Sequence, residues 1–226
     1  MTHSDDDAAA KAARAVVGIL GGTGDQGRGL ARRLGRAGNR VVLGSRDAAR
    51  AAAAADELAE PNVRGAANAE AARDADVVIV AVPYEGHRDL LTGLNVELAG
   101  KVVVDCVNPI AVDKSGPHAL DVPEGSAAEQ AAAVLTESTV VAAFHHVSAI
   151  TLLDQAAESV DTDVLVLGDE RAATDFVQAL AERIPGVRGV YAGRLRNARQ
   201  VEALTANLIA INRRYKAHAG IRVTDV

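Results

Sequence analysis

The 226-residue chain predicts an α/β fold whose core is a doubly wound parallel sheet. Two observations carry that reading. Short apolar runs alternate with helical segments along nearly the whole chain, the pattern of consecutive βαβ units. The runs are continuous rather than alternating, as in strands buried on both faces. In addition, the first run leads at once into a glycine cluster, GILGGTGDQGRGL, from Gly18 to Leu30.

The elements follow in order. Residues 1–14 are acidic and alanine-rich and read as a disordered extension. Ala15–Leu20 is the first strand, and 26–37 a helix with Leu30, Ala31 and Leu34 at helical spacing. Arg40–Leu43 is a strand, Asp47–Glu60 an alanine-rich helix stopped by Pro61, and Val63–Ala66 a short strand. Ala75–Val82 is the clearest strand, ended by Pro83 and followed by a helix over 85–91. Lys101–Val104 is the fifth strand. Residues 106–125 hold three of the six prolines and read as a long loop. A helix over 126–135 and a strand over 140–143 follow. The remainder reads as a strand at 164–167, a helix near 170–183, a strand near 187–190 and a long helix over 196–216. On that last helix Val201, Leu204, Leu208, Ile211 and Tyr215 form one apolar stripe, which must cover either its own domain or a second subunit.

The glycine cluster has a specific use. Gly22-Thr23-Gly24-Asp25-Gln26-Gly27 matches G-x-G-x-x-G between a strand and a helix, the context that makes the pattern a dinucleotide-binding turn of Rossmann type. One glycine allows the tight turn, the next lets backbone approach a pyrophosphate, and the third lets helix pack on strand. The helix N-terminus offers free N–H groups to the phosphates.

The end of the second strand selects the dinucleotide. NAD sites place an acid there for the ribose hydroxyls, and NADP sites an arginine for the 2′-phosphate. This chain reads Gly44-Ser45-Arg46-Asp47-Ala48-Ala49-Arg50. Ser45 offers a hydroxyl, Arg46 a guanidinium fork, and Arg50 lies one helical turn further on. Asp47 reads as the cap of the next helix. The expected cofactor is NADP(H).

Composition narrows the remaining classes. A net charge of −6 and 2% aromatic residues argue against nucleic-acid binding, which needs excess cations and stacking surfaces. A single cysteine, Cys106, excludes a disulfide framework within one chain. No apolar run reaches the length of a membrane span, and a cytoplasmic protein is expected. No metal-ligand cluster is expected either: His145 and His146 are adjacent, and neighbours on a strand point to opposite faces. One of that pair is expected in a core hydrogen bond and the other solvated, unless His145 contacts a ligand. His3, His87, His118 and His218 are expected at the surface.

Together GGTGDQGRGL, GSR, FHHVSA and GRLRNARQVEALT resemble the NADPH:F420 oxidoreductases, a similarity running over nearly all of the chain from Val16 onward. The resemblance implies an NADP-binding Rossmann domain over 15–145 and a small C-terminal α/β subdomain over 146–226, in a homodimer. It implies reversible hydride transfer between NADP(H) and the 5-deazaflavin coenzyme F420. By matching motif, Thr23, Gly24, Asp25, Gln26, Ser45, Arg46 and Arg50 would hold NADP, with Val82, Pro83 and Tyr84 beside it. His145, Val147, Ser148 and Ala149 would line the cleft where the two rings meet. The chain departs from the family pattern at Ser148, where a proline is common, and at His146, where a small polar residue is common.

The chemistry then belongs to the cofactors, and the protein binds and orients; no side chain is expected to be an obligatory acid or base. The anionic F420 tail calls for cations, for which Arg194, Arg196, Arg199, Arg213, Arg214 and Lys216 are available, although the same residues fit the polar face of a helix. Two other functions fit the first half of the chain: an NADP-dependent reductase of another acceptor, such as an imine, and a non-catalytic NADP sensor.

Overall fold

Val17–Leu20 is buried at all four positions and takes an interior place in the sheet. The computed structural model describes residues 3–226. The helices are α1 (His3–Arg14), α2 (Asp25–Arg36), α3 (Ala48–Leu58), α4 (Asn68–Asp74), α5 (His87–Gly93), α6 (Asn95–Leu98), α7 (Ala127–Val134), α8 (Ala149–Leu153), α9 (Arg171–Ala181) and α10 (Ala198–Tyr215). The strands are β1 (Val17–Leu20), β2 (Val41–Ser45), β3 (Val63–Ala67), β4 (Val77–Val80), β5 (Val102–Asp105), β6 (Ile110–Asp113), β7 (Gly116–Ala119), β8 (Thr139–Ala142), β9 (Thr162–Gly168) and β10 (Val187–Gly193).

Eight strands form one sheet in the order β10-β9-β8-β5-β4-β1-β2-β3. From β3 to β8 every pair is parallel, giving the doubly wound dinucleotide-binding order. Two apolar cores cover the two faces. One gathers Ile19, Leu30, Leu34, Leu152 and Phe176; the other gathers Leu20, Val78, Leu91, Leu98 and Leu135. The β8–β9 pair is antiparallel, with Ala142 opposite Leu167. The link between them carries only the five-residue α8, too short to return the chain along the sheet. β9 therefore starts at the carboxyl end of β8. That places the C-terminal part of the chain where ligands bind in such sheets.

Two expectations from the sequence need correction. Residues 3–14 are a helix, not a disordered extension; residues 1 and 2 lie outside the described residues. Ala12 is fully buried, Lys11 Nζ lies 5.0 Å from the centre of the Phe176 ring, and Asn39 Nδ2 donates to the carbonyls of Ala12 and Ala15. The acids that suggested a solvated tail sit in the first turns, and Lys11 and Arg14 in the last, complementing the helix dipole, while alanine is the best helix former. The region 106–125 is not all loop: β6 and β7 form a hairpin, Ile110 opposite Ala119, turned by Asp113, whose Oδ1 accepts from the backbone of Ser115 and Gly116. Its prolines lie beside or within an isolated two-stranded ribbon, where a missing N–H is tolerated.

Candidate functional site

The carboxyl ends of β1, β2 and β4 open onto a cavity of about 620 Å³ lined by Gly21, Thr23, Gly24, Ser45, Arg46, Asp47, Arg50, Asn68 and Ala81–Pro83, among others. Its floor explains the glycines. A Cβ on Gly22 would lie 2.4 Å from Leu43 Cδ2, and one on Gly27 2.6 Å from Gly22 Cα; packing forbids both. A Cβ on Gly24 would meet nothing closer than Gly21 O at 3.7 Å. Its backbone is ordinary extended chain, φ −78° and ψ 163°. No protein contact demands a glycine at 24, so its bareness serves what enters the cavity. Gly24 also begins α2 without any side-chain cap, leaving first-turn N–H groups and the positive dipole end free for an anion.

The opposite wall follows β2. Asp47 caps α3 as expected, accepting from the backbone N–H groups of Ala49 (2.9 Å) and Arg50 (3.3 Å). Its own N–H donates to Ser45 Oγ at 3.2 Å. With Asp47 occupied by the helix, Arg46 and Arg50 stand exposed at the rim. These residues fit a dinucleotide carrying a 2′-phosphate.

A second cavity, about 590 Å³, lies between the segment after β8, the segment after β5 and one face of α10. Its shape depends on Phe144, fully buried yet in the left-handed region at φ 64°. Such a conformation in a bulky residue is held only by its surroundings; here the Phe144 carbonyl accepts from Gln26 Nε2 at 3.3 Å. The turn ends strand alternation after Ala142, so His145 and His146 do not point to opposite faces. Both are buried, with ring centres 6.4 Å apart, and neither is solvated. His146 Nε2 donates to the Val201 carbonyl at 2.7 Å; burial lowers its pKa, partly offset by that bond. His145 is held down to about 4 by burial, with Asp105 opposing and His146 assisting.

His87 is fully buried rather than at the surface. Its Nε2 meets Asp105 Oδ2 at 2.6 Å and its Nδ1 meets Gln130 Oε1 at 3.0 Å. Gln130 Nε2 donates to Glu124 and Tyr84, which leaves Oε1 for the ring. Both ring nitrogens therefore donate. Burial opposes the charge, but Asp105 and the two hydrogen bonds outweigh it and raise the pKa. Nearby, the buried Glu202 of α10 accepts from the backbone of Ala127 (2.8 Å) and Ala128 (3.1 Å) at the start of α7. Burial pushes its pKa up to about 7, against those two bonds. Cys106 donates to the Val80 carbonyl, and burial raises its thiol pKa well above the ordinary value; it is not a nucleophile.

The two cavities share Gly24, Ala81, Val82 and Pro83. Thr23, Ser45, Arg46 and Arg50 line only the first, and Asp25, Gln26, His145, Val147, Ser148 and Ala149 only the second. Gly22 and Gly27 lie beneath, as packing positions. Tyr84 lines neither; its hydroxyl accepts from Gln130 and its ring lies 6.4 Å from that of His87. None of Arg194, Arg196, Arg199, Arg213, Arg214 and Lys216 lines the second cavity; Arg194 pairs with Asp169 and Arg199 with Asp121. The sequence reading missed Asn68, Thr205, Leu208, Asn212 and Ala219. The segment Asp105–Pro109, which by its place at the end of the fifth strand reads from the sequence as well placed for a ligand, puts Cys106, Val107 and Asn108 on the second cavity.

Residues 16–109 match the family model described as NADP oxidoreductase, coenzyme F420-dependent. The chain is 43% identical over 221 residues to the F420-dependent NADP reductase of Methanothermobacter marburgensis, covering 93% of this chain and 98% of that protein. The chain belongs to the F420-dependent NADP reductase family. A second member, from Methanocaldococcus jannaschii, is 39% identical with the same coverage. The fold also matches a solved structure of a candidate F420-dependent NADP reductase from Arthrobacter sp. FB24, with a TM-score of 0.79 at 27% identity over 92% of this chain and 98% of that one. Membership of the family agrees with the two-cavity geometry.

Proposed function

We propose that the chain binds NADP(H) in the first cavity and coenzyme F420 in the second, and catalyses reversible hydride transfer between them. The observation that carries this is the shared wall: Gly24, Ala81, Val82 and Pro83 border both cavities, so two planar rings entering from opposite sides meet there. The reductases at 39–43% identity support the same pair of cofactors.

The chemistry the two bound cofactors supply is hydride transfer between nicotinamide C4 and deazaflavin C5. The chain's own residues bind and align. Gly24 and the uncapped start of α2 receive the pyrophosphate. Ser45, Arg46 and Arg50 receive the 2′-phosphate, which distinguishes NADP from NAD. Val82 and Pro83 give a stiff apolar wall, with no polar group to compete for either ring. Phe144, Val147 and Leu208, buried around the second cavity, keep water from the reacting faces. None of the four shared residues has a titratable side chain, so the work at the junction is positioning, the largest available contribution for such a transfer. Residues 146–226 complete the deazaflavin side through Val147–Ala149 and α10.

The active species is read as a cytoplasmic homodimer. Leu204, Ile211 and Tyr215 of the α10 stripe are exposed, Tyr215 at 74%, while Val201 and Leu208 are buried. A second copy seated on α10 would cover that half of the stripe.

The test is spectrophotometric. Purified protein is mixed with F420 and either NADPH or NADH, and the deazaflavin absorbance is followed. Rapid bleaching with NADPH and little with NADH is the expected result. NADPH binding without bleaching would discard the deazaflavin acceptor and leave the imine-reductase and sensor readings.

A further inference from the structure

We propose that Asn108 is a positioning residue: it fixes His145 as the Nδ1–H tautomer and so leaves Nε2 as a hydrogen-bond acceptor that a ring N–H of the deazaflavin satisfies. The proposal rests on the reading of the second cavity as the F420 site.

Asn108 is half-buried at the carboxyl end of β5, and both ends of its amide are committed. Nδ2 donates to the His145 carbonyl at 3.2 Å. That fixes which way the amide points, because the reverse orientation would set two carbonyl oxygens against each other. Oδ1 then faces His145 Nδ1 at 3.1 Å and the Thr205 hydroxyl at 3.1 Å. An oxygen facing the ring can only accept, so Nδ1 carries the proton. A neutral imidazole with Nδ1–H has a bare lone pair on Nε2.

That lone pair is an anomaly within the protein. His145 is 6% exposed, and Nε2 is buried with no hydrogen-bond partner. A buried polar atom left without a partner is costly and calls for an explanation. His146, beside it, has its Nε2 satisfied by a backbone carbonyl, so of the two rings only that of His145 has a buried nitrogen without a partner. His145, Asn108 and Thr205 all line the second cavity. The ring also stays neutral at working pH, since burial holds its pKa to about 4, so Nε2 accepts and does not donate. Recognition here is therefore selective for a ligand that brings a donor. The pyrimidine-like edge of a deazaflavin brings such a ring N–H.

A position that only supported the loop would affect both cofactors alike. The positioning role predicts a split. Asn108→Ala should raise KM for F420 about tenfold, the value of one buried hydrogen bond, and leave KM for NADPH within about twofold. The decisive readout is nitrogen-15 NMR of histidine-labelled protein, which reports the tautomer directly. His145 should be Nδ1–H in the wild type without ligand and move toward Nε2–H in Asn108→Ala. Adding oxidised F420 to the NADP-loaded wild type should shift the Nε2 resonance as its lone pair is engaged. A ligand-free wild type already in the Nε2–H form overturns the proposal, whatever F420 does. So does F420 that binds, measured by calorimetry, without moving Nε2. Failure of F420 to bind at all overturns the functional reading instead, and the tautomer in the ligand-free protein still decides the role of Asn108.

Discussion

The two cavities are built from different materials. The first is backbone: bare glycines, an uncapped helix start and strand ends, with Arg46 and Arg50 free at the rim. The second is side chain: His145, Asn108 and Thr205 in one hydrogen-bonded set, behind a strained Phe144. The first can receive any dinucleotide phosphate and leaves selection to two exposed cations. The second is shaped in advance by that set, which suits a planar ring that must be aligned rather than merely held. A preorganised cleft costs little reorganisation when the reactant arrives.

The largest expected effect sharpens this contrast at the glycines. Gly24→Val should fold with a Tm within about 3 °C of the wild type, because its Cβ has room, yet lose at least about 100-fold in kcat/KM for NADPH. Gly27→Val should do the reverse in kind: a Cβ 2.6 Å from Gly22 Cα overpacks the turn by roughly 1–3 kcal/mol or more, lowering Tm by up to about 10 °C for a domain of this size. Thermal melts beside steady-state kinetics check both. A large Tm loss in Gly24→Val would break the distinction between packing glycines and the ligand glycine.

Next comes the rim. Arg46→Ala should raise KM for NADPH about 30-fold, within the range for one charge-assisted bond, and leave the weak NADH reaction within about twofold. Equal losses with both nucleotides would remove Arg46 from 2′-phosphate recognition.

The smallest effect concerns the wall of the second cavity. Glu202 ties α10 to α7, and its pKa is raised to about 7 in the folded chain against an unfolded value of about 4.3. The folded state thus holds a proton that the unfolded state has released. The associated stability is fully present below about pH 4 and lost as pH rises through 7. His145, held near 4, contributes a slope of the opposite sign, so the Glu202 effect is read as a difference: relative to Glu202→Gln, the wild type should lose about 2 kcal/mol between pH 5 and pH 8 in denaturant titrations. A difference between wild type and Glu202→Gln that does not change over this range would mean that the carboxylate is ionised when folded.

The same contrast separates what the sequence makes legible from what it hides. The first cavity comes from neighbours along the chain. Gly22, Gly24 and Gly27 lie within six positions, and Ser45, Arg46 and Arg50 follow one strand, so spacing alone locates them. The second is assembled across the fold: Asn108 and Thr205 touch from 97 residues apart, and no local pattern links them. His87 looked like a surface histidine because its partners, Asp105 and Gln130, lie 18 and 43 residues away. The strands were readable because apolar runs buried on both faces have few other uses. The helix α1 was not, because acids at a helix start and acids in a solvated tail look the same until Ala12 and Lys11 find α9. The β6–β7 hairpin was hidden by the prolines beside and within it.

The central claim is that the two rings meet directly at the wall made by Gly24, Ala81, Val82 and Pro83. The most direct test is isotopic. NADPH carrying deuterium at C4, prepared separately on each face, is oxidised by F420 on the enzyme, and the reduced deazaflavin is analysed by mass spectrometry. Direct transfer across the shared wall predicts that deuterium from one face alone arrives quantitatively at C5, in ordinary water. Deuterium found in the solvent, or transferred from both faces, would contradict it.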